Sequence, residues 1–191
     1  MLKKLFVIHT FVSIIGLFPN FAFADIEKNI INTLTSTQTL SFNFTQIIDQ
    51  KKEVGNCLIK YPLLMKCSYQ NYKKKIIISN GKTLAIIKKK YKKIYLYPLK
   101  STPLFTILQK KKIYQIVRNS NYKKKENFIE YKIFDIKKNK LKIFFDKKVF
   151  TLKGWETEDI YSNKVNFLIE NLKINKIVDN STFKIPKEED L

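Results

Sequence analysis

Cys57 and Cys67, the only cysteines of the 191-residue chain, stand ten positions apart in GNCLIKYPLLMKCSY, on either side of Pro62. Two thiols can ligate a metal, cycle as a redox pair or close as a disulfide. A zinc-type centre wants two further ligands, yet the only histidine, His9, lies near the amino terminus. A redox pair has C-x-x-C spacing, which this pair lacks. The disulfide depends on compartment, because such bonds persist in oxidising surroundings.

The amino terminus addresses compartment. Lys3 and Lys4 precede the apolar run LFVIHTFVSIIGLF, and Phe21-Ala22-Phe23-Ala24 precedes Asp25. A basic start, a short apolar stretch and a small-x-small site describe a secretory signal peptide. Cleavage is expected after Ala24, leaving residues 25–191 as a single domain in the periplasm. The competing reading is a membrane anchor, but Pro19 and Asn20 end the apolar run short of the ~20 residues a spanning helix needs. No lipid-accepting cysteine follows the run. In an oxidising compartment the cysteine pair reads as a disulfide.

Other chemistry is sparse. Beyond Ala24 there is no histidine, no serine in a G-x-S-x-G setting and no glycine-rich phosphate loop among three glycines. Glu156, Glu158 and Asp159 form the one acidic cluster outside the tail. Glu156 and Glu158 share a strand face, as a catalytic carboxylate pair does, but at a strand end the ordinary reading is solvated charge. The expectation is a non-enzyme with no cofactor and no metal.

The net charge of +21 suggests nucleic acid at first sight. Arg118, however, is the only arginine among 37 basic residues, and arginine is the residue that grips phosphate bidentately and reads bases. The lysines fall in the turns while Ile and Asn are also abundant. Compositional bias accounts for this, with attraction to anionic membrane surfaces as the functional alternative. No nucleic-acid partner is expected.

The elements that must position any site follow from periodicity. Ile26, Ile30 and Leu34 recur every four residues, predicting a short amphipathic helix over 25–34. From Leu40 the period is two: Leu40, Phe42, Phe44, Gln46 and Ile48 share one face of a strand. Strand patterns recur over 54–61, 65–69, 75–79, 83–88 and 94–97, and Asn80-Gly81 predicts a tight hairpin pairing 76–78 with 84–86. Counting outward from Pro62 sets Lys60 against Leu64, Ile59 against Met65, Leu58 against Lys66 and Cys57 against Cys67. Direct cross-strand neighbours are close enough to bridge.

Ser101-Thr102-Pro103 predicts a helix start ahead of LFTILQ, whose apolar residues must lie against an apolar surface. Residues 114–117 fit either strand or helix. Strand patterns resume over 127–136, 140–145, 149–160 and 164–174, with turns at 138–139, 146–147 and 161–163, then a turn and one short strand within 178–186. The fold class is mainly β, an incomplete antiparallel barrel of about 10–11 strands with two short helices. Fifteen phenylalanines and ten tyrosines fit either an ordinary core or a curved sheet around an apolar cavity with LFTILQ as its lid.

Five pieces in order carry a resemblance: FNFTQ at 42–46; the strand from Gly55 to Pro62 with Lys66 four positions on; I-x-x-S-N-G-K at 76–82; T-P-L and its short apolar helix at 102–108; and L-x-G-W-x-x-x-D at 152–159. Together they resemble LolA-type periplasmic carriers of outer-membrane lipoproteins over nearly all of residues 25–191. The resemblance implies an open barrel lidded by short helices, without catalysis or cofactor. It also implies partners: acylated lipoproteins, an inner-membrane lipoprotein-releasing ABC transporter and an outer-membrane receptor. Members commonly carry arginine before the proline and often in place of Lys66. This chain has Tyr61 and Lys66 there, making these two the candidates for lid closure and release.

On this reading Phe42, Phe44, Ile59, Leu96, Phe144 and Leu152 line the cavity, and Leu104 and Leu108 cover it in a monomer. Phe44→Glu is expected to stop lipid uptake in a folded protein. The alternatives are a periplasmic lipid or glycolipid binder with other cargo, and a non-carrier β domain that touches the membrane surface.

Overall fold

The computed structural model describes residues 21–134, 140–158 and 163–191. Residues 1–20 of the predicted leader lie outside these residues, as do the turn at 138–139, most of the turn at 161–163, and Asp159, while the cleavage site expected after Ala24 falls within the first helix. No described helix is long and apolar enough to cross a membrane.

Helix α1 (Phe21–Ser36) buries Ile30 and Leu34, as their spacing predicts. Six strands follow as a meander: β1 (Thr39–Ile48), β2 (Lys51–Lys60), β3 (Leu64–Tyr69), β4 (Lys75–Asn80), β5 (Thr83–Lys88) and β6 (Lys93–Pro98). A connection carrying helices α2 (Leu104–Ile107) and α3 (Lys110–Asn119) leads to a second meander. This comprises β7 (Tyr122–Lys124), β8 (Phe128–Phe134), β9 (Lys140–Asp146), β10 (Leu152–Glu158) and β11 (Lys164–Ile174). The eleven described strands form one antiparallel sheet in the order β6-β5-β4-β3-β2-β1-β11-β10-β9-β8-β7, so β1 and β11 join the two meanders at its centre. The sheet does not close; β6 and β7 are its free edges.

The register around Pro62 is the predicted one, with Cys57 opposite Cys67 and the pair joined as a disulfide. The S-N-G segment also has a defined task. The Asn80 side chain accepts N–H groups from Lys82 (3.1 Å) and Thr83 (2.9 Å), and Gly81 takes the left-handed φ of 98° that the turn requires. Ser79, wholly buried, donates its hydroxyl to the Leu63 carbonyl at 2.6 Å and ties the two hairpins together.

One face of the sheet holds the main core, beneath α1 and α3. A row of aromatic rings crosses it: Trp155 stacks on Phe167 (4.1 Å, 6°), Phe167 on Phe44 (4.6 Å, 20°), and Phe44 meets Tyr69 edge-on (4.8 Å). The row passes over Gly55, where a Cβ would stand 2.8 Å from the Phe44 ring and 2.1 Å from the Ser68 carbonyl. On the opposite face Ile78, Ala85 and Ile87 form a second cluster, covered by Ile185 and Leu191 of the C-terminal tail.

Three local readings need correction. The expected last strand is instead a 3-10 turn at Asn180–Phe183: the Asp179 carboxylate accepts the Ser181 N–H at 2.7 Å, and Phe183 is buried. Helix α3 resolves the ambiguity at 114–117, because Ile113, Ile116 and Val117 recur at helical spacing and are buried together. Glu156 is not solvated. It is 6% exposed and receives Lys142 from β9 (2.9 Å) and Lys164 from β11 (3.0 Å). Burial pushes its pKa up, but these two ammonium groups outweigh that and hold the carboxyl below its ordinary 4.5.

A carboxylate whose folded-state pKa is depressed stabilises the fold above its unfolded value and loses that contribution as pH falls through the folded value. Glu156→Gln is therefore expected to lose about 1–3 kcal/mol in urea denaturation at neutral pH, and the deficit should narrow in measurements well below pH 4.5. Reducing the disulfide, or replacing both cysteines by serine, is expected to lower unfolding free energy by about 2–3 kcal/mol, from the loop it closes.

Candidate functional site

The segment between β6 and β7 spans the space between the two edges of the sheet. It is pinned at both ends. Leu99 is fully buried, its N–H on the Lys82 carbonyl at 2.9 Å, and Ile107 and Leu108 are fully buried at the far end. The Leu108 carbonyl accepts the Leu63 N–H at 2.9 Å. Residues 102–106, between these anchors, are half-buried. Two cavities flank them.

The first, about 530 Å³, has an apolar wall from the inner face of the sheet: Met65, Ile77, Leu84, Ile86, Trp155 and Phe167. Leu104 reaches it from the bridging segment. Its polar end is held by Gln46, whose amide oxygen accepts the Tyr69 hydroxyl at 2.5 Å. Burial, with Glu53 nearby, raises the Tyr69 pKa, so the phenol remains a neutral donor. Lys75 lies 3.7 Å from the Tyr69 ring centroid and pairs with Glu53; burial lowers its pKa, opposed by that carboxylate. The second cavity, about 610 Å³, lies between α2, α3 and the tips of β8 and β9, with Phe105, Ile116, Ile133 and Leu141 as its main apolar lining. Among the described residues no group of three His, Cys, Asp or Glu is placed to hold a metal.

The residues expected to line the cavity divide. Phe42, Phe44, Ile59 and Leu152 lie on the inner side of the sheet, yet all are at most 3% exposed and belong to the packed core beneath the cavity. Leu96 and Phe144 point the other way. Leu96 pairs with Ala85, whose face carries the second cluster, and is 61% exposed. Phe144 pairs with Gly154 and Glu130 and packs against Phe128 on the outer face, while Phe145 takes the inner position. A one-residue error in phase has this effect. Of the lid pair, Leu104 meets the cavity, whereas Leu108 is an anchor.

Tyr61 is buried, donates its N–H to the Gln38 carbonyl, and keeps a hydroxyl with no hydrogen-bond partner. Burial, with Tyr114 close by, raises its pKa. It therefore anchors the hairpin, and the bond from that hairpin to the bridging segment comes from its neighbour-but-one Leu63. Lys66 pairs with Leu58 and Ile78, on the outer face, away from the cavity. Sequence reading missed Leu84 and Ile86, although their alternation in 83–88 marks one face. It missed Trp155, whose motif had been noticed without a role, and Phe167 in the strand pattern over 164–174.

A family model described as outer membrane lipoprotein carrier protein LolA matches residues 35–186. No curated protein sequence matches the chain. An uncharacterized conserved protein from Thermus thermophilus shares the fold, with a TM-score of 0.51 at 7% identity over 86% of this chain and 94% of that one. A LolA superfamily protein from Nitrosomonas europaea gives 0.46 at 7% over 85% and 97%, and lipoprotein LppX from Mycobacterium tuberculosis 0.48 at 8% over 84% and 100%. The family match runs from the end of α1 through both meanders into the C-terminal tail, and on that match the chain belongs to the LolA family of outer membrane lipoprotein carrier proteins.

Proposed function

We propose that this protein is a periplasmic carrier that shields the acyl chains of lipoproteins and takes them from the inner to the outer membrane. The observation that carries the reading is the apolar wall of the 530 Å³ cavity, which runs from Leu84 and Ile86 to Trp155 and Phe167 and reaches solvent beside the bridging segment. Most of the wall belongs to the buried core, and Ile77 and Ile86 are the part of it left half-buried.

An acyl chain gains about 0.8 kcal/mol for each CH₂ removed from water, so a sixteen-carbon chain represents on the order of 12 kcal/mol. A non-polar wall supplies that energy without demanding one orientation. Support for export comes from the signal-like leader. The family match supports the cargo class and, beyond it, handover from an inner-membrane ABC transporter to an outer-membrane receptor. The lysine-rich exterior assists approach to anionic membrane surfaces. Neither catalysis nor a cofactor enters this role.

Ile86 is half-buried on the cavity wall, so a charge there is solvated in the empty protein and opposed by a bound chain. Ile86→Glu is expected to fold normally and to weaken binding of a fluorescent fatty-acyl probe roughly 10–100-fold, or about 1.4–2.8 kcal/mol. Phe44→Glu is a poorer test, because Phe44 is sealed between Phe167 and Tyr69 and a charge there is expected to unfold the core. Native mass spectrometry of protein purified from the periplasm should show an acylated lipoprotein bound. A bound glycolipid instead would assign the cavity to other cargo, and an empty protein that ignores the acyl probe would overturn the carrier reading.

A further inference from the structure

We propose that residues 101–106 form a partition between two acyl-chain sites, and that the ligand is a two-chain amphiphile that straddles it, one chain in each cavity. This rests on the reading that the protein binds acyl chains.

The two cavities share three lining residues, Ser101, Thr102 and Pro103. Immediately beyond them the side chains part: Leu104 lines the 530 Å³ cavity, while Phe105 and Thr106 line the 610 Å³ one. A single turn of chain is thus the wall between two apolar spaces. This wall is anchored at both ends. Leu99 and Leu108 are both fully buried and both hydrogen-bonded through the backbone, to Lys82 and Leu63. The latter contact is itself held through the Ser79 hydroxyl on Leu63.

Size agrees with one chain per side. A methylene fills about as much space as a water molecule, roughly 30 Å³, so the cavities have room for about 18 and about 20 methylenes respectively. Each is too small for two long chains. Polarity places the head group. Ser101 and Thr102 crown the partition, and their hydroxyls donate to the Pro98 carbonyl (2.8 Å) and the Leu99 carbonyl (2.9 Å), which leaves oxygen lone pairs facing outward. Lys100, Lys112 and Lys140 stand around the larger cavity, which has no acidic lining residue among the described residues, whereas the smaller has Glu158. A head with an anionic or strongly accepting group fits displaced from the partition toward the lysines, while an N–H or O–H donor of the same head meets the outward lone pairs of Ser101 and Thr102. Two-chain amphiphiles with such a head include diacyl glycerophospholipids and the diacylated amino terminus of a lipopeptide.

The test is binding stoichiometry on the mature, disulfide-bonded protein, read by native mass spectrometry and titration calorimetry with three probes: palmitate, a dipalmitoyl phosphatidylglycerol and a synthetic dipalmitoylated lipopeptide. The expected result is two palmitates per protein but one molecule of a two-chain probe. Ile86→Trp fills the smaller cavity and Ile133→Trp the larger. Each should reduce palmitate from two to one and weaken the two-chain probe at least 10-fold. Val165→Trp and Gln115→Trp, at less buried positions on the same two walls, replace either variant that fails to fold. Whichever two-chain probe binds more tightly identifies the head group. A single palmitate per wild-type protein, or undiminished two-chain binding with the larger cavity filled, would overturn the partition while leaving a carrier. No palmitate bound at all would overturn the carrier reading and the partition with it.

Discussion

The row of rings from Trp155 through Phe167 and Phe44 to Tyr69 is the contact on which the remaining architecture depends. It crosses β10, β11, β1 and β3, and so ties strands from both meanders into one surface. Offset and edge-on ring contacts add about 0.5–1.5 kcal/mol each beyond the area they bury. More consequential is the space they demand. Gly55 has to lack a side chain so that Phe44 can lie flat over β2, and Gly154, at a φ of 150°, sits where β10 shifts register against β9, with the Phe167 carbonyl 2.3 Å from where its Cβ would be. Trp155, Phe167 and Tyr69 of the row also line the 530 Å³ cavity. The stiffest part of the molecule is therefore also the surface offered to an apolar ligand.

An open sheet that long has two edges to manage. Here the chain crosses from β6 to β7 over the mouth, with helices that bury Ile107, Ile113 and Val117 against the core. At β6 the Glu188 carboxylate of the tail takes the Ile94 N–H at 3.0 Å. On the outer face, opposite charges sit across neighbouring strands, as Lys142 and Lys164 do around Glu156. The main apolar core thus lies on the inner face, while the outer face carries these ion pairs beside smaller apolar contacts, Phe144 on Phe128 and the patch that Ile185 and Leu191 cover.

Much of this was legible in the residues. Alternation located ten of the eleven described strands, the count from Pro62 gave the hairpin register that sets Cys57 against Cys67, and Asn80-Gly81 gave the next turn. The inner face was harder. In 93–98 the aliphatic Ile94 and Leu96 alternate with Tyr95 and Tyr97, and burial rules favour the aliphatic pair; in the fold Tyr97 borders the cavity, where a phenol can meet water and apolar wall together. In 141–145 the adjacent Phe144 and Phe145 are apolar on both sides, so composition alone does not set the phase. Tyr122–Lys124 was too short and too rich in lysine to register as a strand. Glu156 was misread because its partners come from two other strands, and cross-strand pairing of that kind is visible only once register is known.

The central seam between β1 and β11 also dictates the order of events in making the protein. Thr45 and Glu170, hydrogen-bonded across it, are 125 residues apart in sequence, and contacts of such range form slowly because a long loop must be closed first. The first six strands can pair locally as they emerge, but Phe44 has no Phe167 to stack on until the last long strand is available. A chain threaded in the amino-to-carboxyl direction through a narrow conduit therefore arrives with its core unsealed and compliant. It becomes rigid only once its final strand is through.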